Sequence, residues 1–570
     1  MLHKTLAFSC CLLVASTAWS QVVLVPNSPQ IGSGNPVTAE PPVPRPAGTP
    51  CKVSLFSELE FANFTNKTFK YAPPAHCRGP WAKVVFTADF TVTAGNQFDR
   101  TAAFYLGNAN LYYGTTAEPG ATFSPSWHVE RDVTDLTALF EVAQTGEADL
   151  GNFVGTSGGV LYNGLIYANA ALEFYPLEHG TPKPDTPDLV IPLPDAAGGA
   201  ATLDTTASLL TQTVQLPRNT ERVLLDVIAQ SQSGDEFWYT CVPNDVAAEL
   251  ESCGNTGFRE TEIAIDGKAA GVAPVYPWIY TGGIDPFLWQ PIVGIQTLDF
   301  KPYRVNLTPF AGLLADGRTH TVSIGVYNAD SYFLATANLL VYVDAHAERV
   351  TGAVERNTLA AAPSPVVKEN LKTDASGNLS GSVTVSSARK FVVEGYVDTS
   401  HGRVETTVET ELAFENRQTF SITASNYVQD ITQSTTVNTD TTVDDGRARH
   451  TLRTQTSYPI VLNYAYITNA NGSAKQTTQA EQHYLLTTQS ADDPAGEPLA
   501  RIDSKVESTD TLNFDVNGNF TGNTAQSSSA RYREKDLEER CDGRSLEAVA
   551  GLLTSVVNDV GCHWGDPAAD

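Results

Sequence analysis

KVVFTADFTVTAGNQF (83–98) and RVLLDVIAQSQSGDEF (222–237) decide the fold. Each alternates β-branched or aromatic residues with polar ones, the period of a half-buried strand. Val84 to Gly95 and Val223 to Gly234 are equal in length, and a phenylalanine, Phe98 or Phe237, follows three positions after each glycine. The likeness continues in chain order. FDRTAAFYLG compares with FRETEIAIDG at Phe98/Phe258, Thr101/Thr261 and Gly107/Gly267. VTDLTALF compares with LTPFAGLL from Val133 and Leu307, and NAALEFYP with TANLLVYVD. An ordered recurrence predicts two related, jelly-roll-like β-sandwich domains in tandem, over 51–182 and 190–350.

The second copy is the more elaborate. WYTCVPNDVAAELESCGNTG (238–257) is inserted where the first copy runs straight on, and YPWIYTGGIDPFLWQP (276–291) follows Gly267. Long aromatic loops on a rigid sandwich are where binding sites tend to form. Beyond about residue 365, GSVTVSSARKFVVEGYVDT, RVETTVETELAF and TQTSYPIVLNYAYIT are long Thr- and Ser-rich alternating segments. They predict a third β-rich domain over 365–530, followed by a tail over 531–570. Helical candidates are few, LTALFEVA (136–143) and SLEAVAGLLTSVVNDV (545–560) being the best. The chain reads as all-β.

The opening, MLHKTLAFSCCLLVASTAWSQ, has a short basic start, an apolar run from Leu6 to Val14 and small residues at Ala18 and Ser20. It reads as a secretory signal over 1–20, hence a secreted or periplasmic protein. Residues 21–50 are rich in proline and polar residues and read as a linker. Without the signal, six cysteines remain: Cys51, Cys77, Cys241, Cys253, Cys541 and Cys562. Of about fifteen possible connectivities the sequence-local closures 51–77, 241–253 and 541–562 are the simplest. A net charge of −28 argues against binding nucleic acid or an anionic membrane, and no later run is apolar enough to span a bilayer. There is no HExxH, no calcium-loop spacing in DTDTTVDDG and no CxxC, so no metal or cofactor is expected. GTSGG at Gly155 fits the serine-nucleophile pattern formally, but no strand-to-helix turn surrounds it.

The chemistry expected is that of carboxylates. Asp99 stands at a strand entrance beside Arg100, and Glu236 takes the corresponding place in the second copy. If the sandwiches lie side by side, both acids can face one groove and activate water or hold a leaving group. The ordinary alternatives are a turn aspartate and an exposed glutamate. Glu118, in GTTAEPG, is a third candidate. Trp238, Trp278 and Trp289 are candidates for stacking on sugar rings, with burial in loop cores as the alternative. Arg259 and Glu260 are candidates for the substrate-binding rim, Glu260 and Glu130 reading otherwise as solvated acids or arginine partners; Trp127 reads as core.

The runs GPWAKVVF, QFDRTAAFYLGNANLYYGTTAEP, WHVERDVTDLTALF, DEFWY and YTGGIDPFLWQPIVGIQTLDF together resemble the peptide:N-glycanase A family of glycoamidases. That resemblance implies hydrolysis of the amide joining asparagine to the innermost N-acetylglucosamine of an N-glycan. Asparagine becomes aspartate, N-glycosylated peptides and glycoproteins are the substrates, and no cofactor is needed. It further implies tolerance of a core α1,3-fucose and, with the acidic balance, work at acid pH. The related F-type enzymes carry their principal aspartate in W-D-R-Y-A-N-V, which FDRTAAF resembles, so Asp99 is implied. Their glutamate before a tryptophan resembles DEFW and implies Glu236. Their third acid has no counterpart in LGNFVG (150–155), and Glu118 is the spatial substitute expected. Arg100 or Arg259 would orient carboxylates or polarise the carbonyl. Two other readings stay open, an endo-acting glycoside hydrolase and a non-catalytic glycan-binding surface protein; oligomeric state is not legible.

Overall fold

The computed structural model describes residues 29–559 apart from 181, 493–495 and 538. The expected signal over 1–20 and Cys562 lie outside the described residues. Ten strands form the first unit: β1 (Cys51–Phe61), β2 (Lys67–Tyr71), β3 (Trp81–Val92), β4 (Thr101–Leu106), β5 (Ala109–Thr115), β6 (Ser126–Asp132), β7 (Gln144–Leu150), β8 (Gly155–Ser157), β9 (Val160–Tyr162) and β10 (Ile166–Pro176). Nine follow: β11 (Leu189–Leu193), β12 (Ala201–Leu203), β13 (Leu210–Val214), β14 (Thr220–Gln232), β15 (Glu260–Ile265), β16 (Lys268–Pro274), β17 (Tyr303–Asn306), β18 (His320–Tyr327) and β19 (Tyr332–Val343).

The two units share one topology. Sheet order β1-β10-β3-β6 in the first is matched by β11-β19-β14-β17 in the second, and β2-β7-β4-β5 by β13-β18-β15-β16, with β12 an added partner of β19. Residues 83–92 and 222–232 lie in β3 and β14, the strands next to the edge in these two matched sheets. Both are almost wholly buried, as strands packed on two sides must be. VTDLTALF forms a 3-10 turn and LTPFAGLL a 3-10 turn running into one helical turn, again at equivalent places.

Aromatic side chains fill the first sandwich. Trp127 stacks on Phe90 at 5.2 Å, and Phe104 and Tyr112 close around them. Each such ring contributes about 1.5–3 kcal/mol by leaving water. The seam between the sandwiches is polar as well as apolar: Tyr112 Oη donates to Leu298 O at 2.7 Å, Thr115 N to Thr297 O at 2.9 Å and Phe300 N to Tyr113 O at 2.7 Å. Arg131 pairs with Asp299 across it at 2.6 Å.

From β20 (Thr351–Asn357) to β31 (Leu552–Asp559) twelve antiparallel strands make a single sheet. It begins before residue 365 and continues beyond 530. The segment SLEAVAGLLTSVVNDV, expected as a helix, is instead the hairpin β30 (Cys541–Val549) with β31. Its apolar residues serve a strand period, and Gly551 at φ +74° makes the turn between them. The Pro-rich segment is not free either. Arg45 pairs with Glu130, Val37 bridges Ile292 in parallel, and Ser33 and Gly32 bond Leu553 in the third sheet. The strap thus ties the first sandwich, the 276–291 loop and the third sheet together.

Disulfides close Cys51–Cys77 and Cys241–Cys253, with Cα separations of 6.2 and 4.5 Å. Among the described residues no helix is long and apolar enough to cross a membrane.

Candidate active site

β3 delivers Asp99 and β14 delivers Glu236, each from the loop after the strand, so the shared topology sets them on the same rim. Asp99 is half-buried. Its Oδ2 accepts from Gly282 N at 2.9 Å, and its own amide donates to Glu118 Oε2 at 3.3 Å. Gly282 belongs to the long loop of the second sandwich, and its neighbour Thr281 donates from Oγ1 to Thr116 O at 2.7 Å. A Cβ at position 282 would lie 2.0 Å from Glu118 Oε2 and 3.2 Å from Asp99 Oδ1. Only glycine lets that loop approach both acids.

Glu236 follows a tight turn over Ser233–Asp235 that Asp235 anchors. The Asp235 carboxylate is buried; it accepts from Arg259 Nη2 at 2.8 Å and from the amides of Asp330 and Ser331 at 2.9 and 2.8 Å. Asp235 is therefore saturated, and the adjacent Glu236 is left to face the cleft. Behind it, Tyr280 Oη donates to Ser231 O at 2.6 Å and accepts from Gln230 Nε2 at 2.9 Å.

The three acids feel one another. Burial pushes Glu118 up to about 7, with Asp99 adding to the shift. Burial and the charges of Asp99 and Glu118 push Glu236 up to about 7 as well. Burial also raises Asp99, but the Gly282 amide, Arg100 and Thr281 each favour its ionised form. Asp99 accepts from Gly282 N, Glu118 only the longer bond from the Asp99 amide, and no hydrogen bond to Glu236 offsets its burial. Burial thus raises all three acids, and Asp99 is the one for which the Gly282 amide, Arg100 and Thr281 together oppose the shift.

Arg100 is fixed through its backbone: its amide donates to Thr116 Oγ1 at 2.8 Å and its carbonyl accepts from Thr116 N at 2.8 Å. The guanidinium lies 5.6 Å from the Phe98 ring and within the field of Asp99, Glu118 and Tyr162. Its Nε is buried without a partner among the described residues.

The aromatic and rim expectations need correction. Trp238, Trp278 and Trp289 are 1, 3 and 2% exposed and build loop cores rather than a sugar face. Trp238 packs on Phe414 of the third sheet, Trp278 on Phe300, and Trp289 Nε1 donates to Gly283 O at 3.0 Å. Arg259 is committed to Asp235. Glu260 is buried against Arg389 of the third sheet. The exposed aromatic beside the acids is another: Phe98, 45% exposed, rests on the half-buried Tyr162 at 5.1 Å, which also meets Phe153 at 5.8 Å. Tyr162 lies on the small β8–β9 hairpin. Glycine-rich GTSGG made that segment read as loop, which hid its position next to Asp99; Thr281 and Gly282 carried no charge to draw notice.

A family model described as peptide N-acetyl-beta-D-glucosaminyl asparaginase amidase A matches residues 37–360. The chain belongs to that family of amidases. The match covers both sandwiches and the strap from Val37, and hence every acid of the cluster. A curated relative, peptide-N4-(N-acetyl-beta-glucosaminyl)asparagine amidase A of Prunus dulcis, is 26% identical over 467 residues, 78% of this chain and 79% of the relative. Among solved structures, PNGF-II in space group C2 matches with a TM-score of 0.36 at 13% identity, covering 52% of this chain and 66% of that one. PNGase F, a glycosylasparaginase from Flavobacterium meningosepticum, matches at 0.34 and 14%, covering 52% and 96%.

Proposed function

We propose that this amidase hydrolyses the bond between asparagine and the innermost N-acetylglucosamine of N-glycosylated peptides and glycoproteins, releasing the glycan and leaving aspartate. The observation that carries the reading is the clustering of Asp99, Glu118 and Glu236 within one another's field, with Asp99 held by the Gly282 amide and Glu236 without a hydrogen bond that offsets its burial. The Asp99 carboxylate takes a proton from the attacking water. A protonated glutamate, Glu236, donates to the amide nitrogen as the tetrahedral intermediate collapses, and Arg100 balances charge on the carbonyl side. The exposed Phe98, backed by the half-buried Tyr162, offers an apolar face beside the acids to the sugar.

Two finer properties follow. The scheme needs Glu118 and Glu236 protonated, so activity belongs to the acid side and falls as pH rises through about 7. Tolerance of a core α1,3-fucose is what the A-type resemblance implies.

Weighing the peptide after incubation with defined glycopeptides, with and without that fucose, tests the whole reading. Aspartate at the former glycosylation site is expected from both. A sugar stub on asparagine would make the protein an endoglycosidase, and an unaltered glycopeptide a binding protein. Asp99→Asn, which keeps the shape but not the base, should lower release by at least about 100-fold at unchanged melting temperature.

A further inference from the structure

Three residues beyond Gly282 the active-site loop reaches Asp285, an acid the amidase scheme does not use. Its carboxyl is fully buried: Oδ1 accepts from Phe287 N at 3.0 Å, and Oδ2 has no donor. Facing it from β28 (Ala500–Phe514) is Asp510, also fully buried. Asp510 Oδ1 accepts from Asn523 Nδ2 at 3.0 Å, and its Oδ2 is likewise without a donor. The two carboxyls contact each other. Two acceptors in contact can bond only when one of them carries a proton. Among the described residues no lysine, arginine or histidine acts on either, and Tyr464 of β26 (Ile460–Thr468), a neutral phenol, is the further titratable group near Asp285.

The surrounding contacts show what the pair holds. Ser508 Oγ donates to Leu288 O at 2.5 Å and Gln526 Nε2 to Gln290 O at 3.2 Å, both from the third sheet to this loop. From the strap, Val37 N donates to Pro291 O at 2.9 Å. Those bonds are neutral and do not change between acid and neutral pH. Among the described contacts between this loop and the third sheet, the acid pair is the one that depends on a proton.

We propose that Asp285 and Asp510 are positioning residues, whose shared proton pins the 276–291 loop to the third sheet and so holds the Gly282 amide against Asp99. The consequence for catalysis rests on the amidase reading; the pin itself does not. Burial raises both acids, Asp285 to about 7. A raised carboxyl pKa means the contribution is complete in acid and is lost as pH rises through about 7.

Asp510→Asn tests this with little change of shape. The asparagine carbonyl still accepts from Asn523, and its amide donates to Asp285 without a shared proton; Asp285→Asn is the mirror variant should the first fail to fold. Hydrogen exchange at backbone amides 280–290 of the full chain, corrected for intrinsic rates, is followed from pH 5 to 8 beside glycopeptide cleavage. Wild-type protection should fall by about tenfold or more over that range, one pK unit being a factor of ten, while either asparagine variant flattens the fall. In cleavage, the variants should make the alkaline fall in kcat less steep, Glu118 and Glu236 still setting where it lies, with KM little changed. Equal pH dependence of loop protection in wild type and both variants would overturn the pin whatever the activity. Protection that follows expectation in proteins that cleave nothing would keep the pin and sink the amidase reading.

Discussion

At the scale of single residues, the site turns on one carboxylate and one missing side chain: Asp99 Oδ2 accepts from Gly282 N at 2.9 Å, and a Cβ on residue 282 would lie 2.0 Å from Glu118 Oε2. Asp99 stood out in sequence because a carboxylate at the mouth of an apolar strand needs a reason. Glu118 reads as a third candidate from GTTAEPG and as the spatial substitute for the missing acid, and the fold brings it beside Asp99. Gly282 gave no signal, since small residues in a loop normally mean a turn. Yet its missing side chain is what admits the loop amide to the acids. Gly282→Ala should leave the fold intact, because the Glu118 side chain can swing away from the new methyl. The same swing takes Glu118 from the cleft and separates the amide from Asp99. Misplacement on the order of 1 Å in such a site costs about 100-fold in rate. We expect kcat/KM for glycopeptide cleavage to drop by about that factor, with the melting temperature within a degree or two; near-normal turnover would show that the amide contact is dispensable.

At the scale of elements, periodicity served the strands well, and the duplicated order was legible because each copy must bury the same faces. It could not reveal that the aromatic loops would be covered. Trp238 reads as a candidate for stacking on sugar because its cover, Phe414, lies well over a hundred positions along the chain, and Phe258 and Tyr276 are covered in the same way by Phe414, Tyr458 and Tyr484. The third sheet is that cover, and its polar residues complete it: Asn416 Nδ2 donates to Tyr239 O at 2.8 Å and Gln418 Nε2 to Cys241 O at 2.8 Å, bonding the backbone of the disulfide-closed insertion. Glu260 and Arg389 are the charged part of the same junction, 1 and 9% exposed. Breaking a buried pair by removing one partner strands the other, at about 3–5 kcal/mol, whereas replacing both by apolar residues of similar size is close to neutral. Arg389→Met should therefore destabilise the protein strongly, and Arg389→Met with Glu260→Met should recover most of the loss. Denaturant unfolding of the two singles and the double measures the coupling; simple additivity would mean the pair does not hold the junction.

At the scale of the whole molecule, titration of the buried groups gives stability one direction across the neutral range. Burial raises Asp99, Glu118, Glu236 and Asp285, the last three to about 7. Between the ordinary carboxylate range and about pH 7 the folded chain thus binds more protons than the unfolded one, and stability falls as pH rises through that window. His128 acts in the same sense at higher pH. Burial alone would lower it, but hydrogen bonds to Asp89 and Glu130 prevail and raise it to about 9, so its contribution is complete below its ordinary pKa and is lost as pH rises through about 9. The opposing groups work only in stronger acid. Glu130 would be raised by burial, but His128 and Arg45 hold it down at about 2, and its contribution disappears as pH falls through that value. A chain of net charge −28 adds self-repulsion that weakens as carboxylates take up protons. The melting midpoint should accordingly be highest near pH 5 and decline steadily to pH 8, by about 1 °C for each kcal/mol lost in a chain of this size. Calorimetry at constant ionic strength tests this, and a midpoint that is flat or rising from pH 5 to 8 would mean that the buried acids are ionised in the native protein.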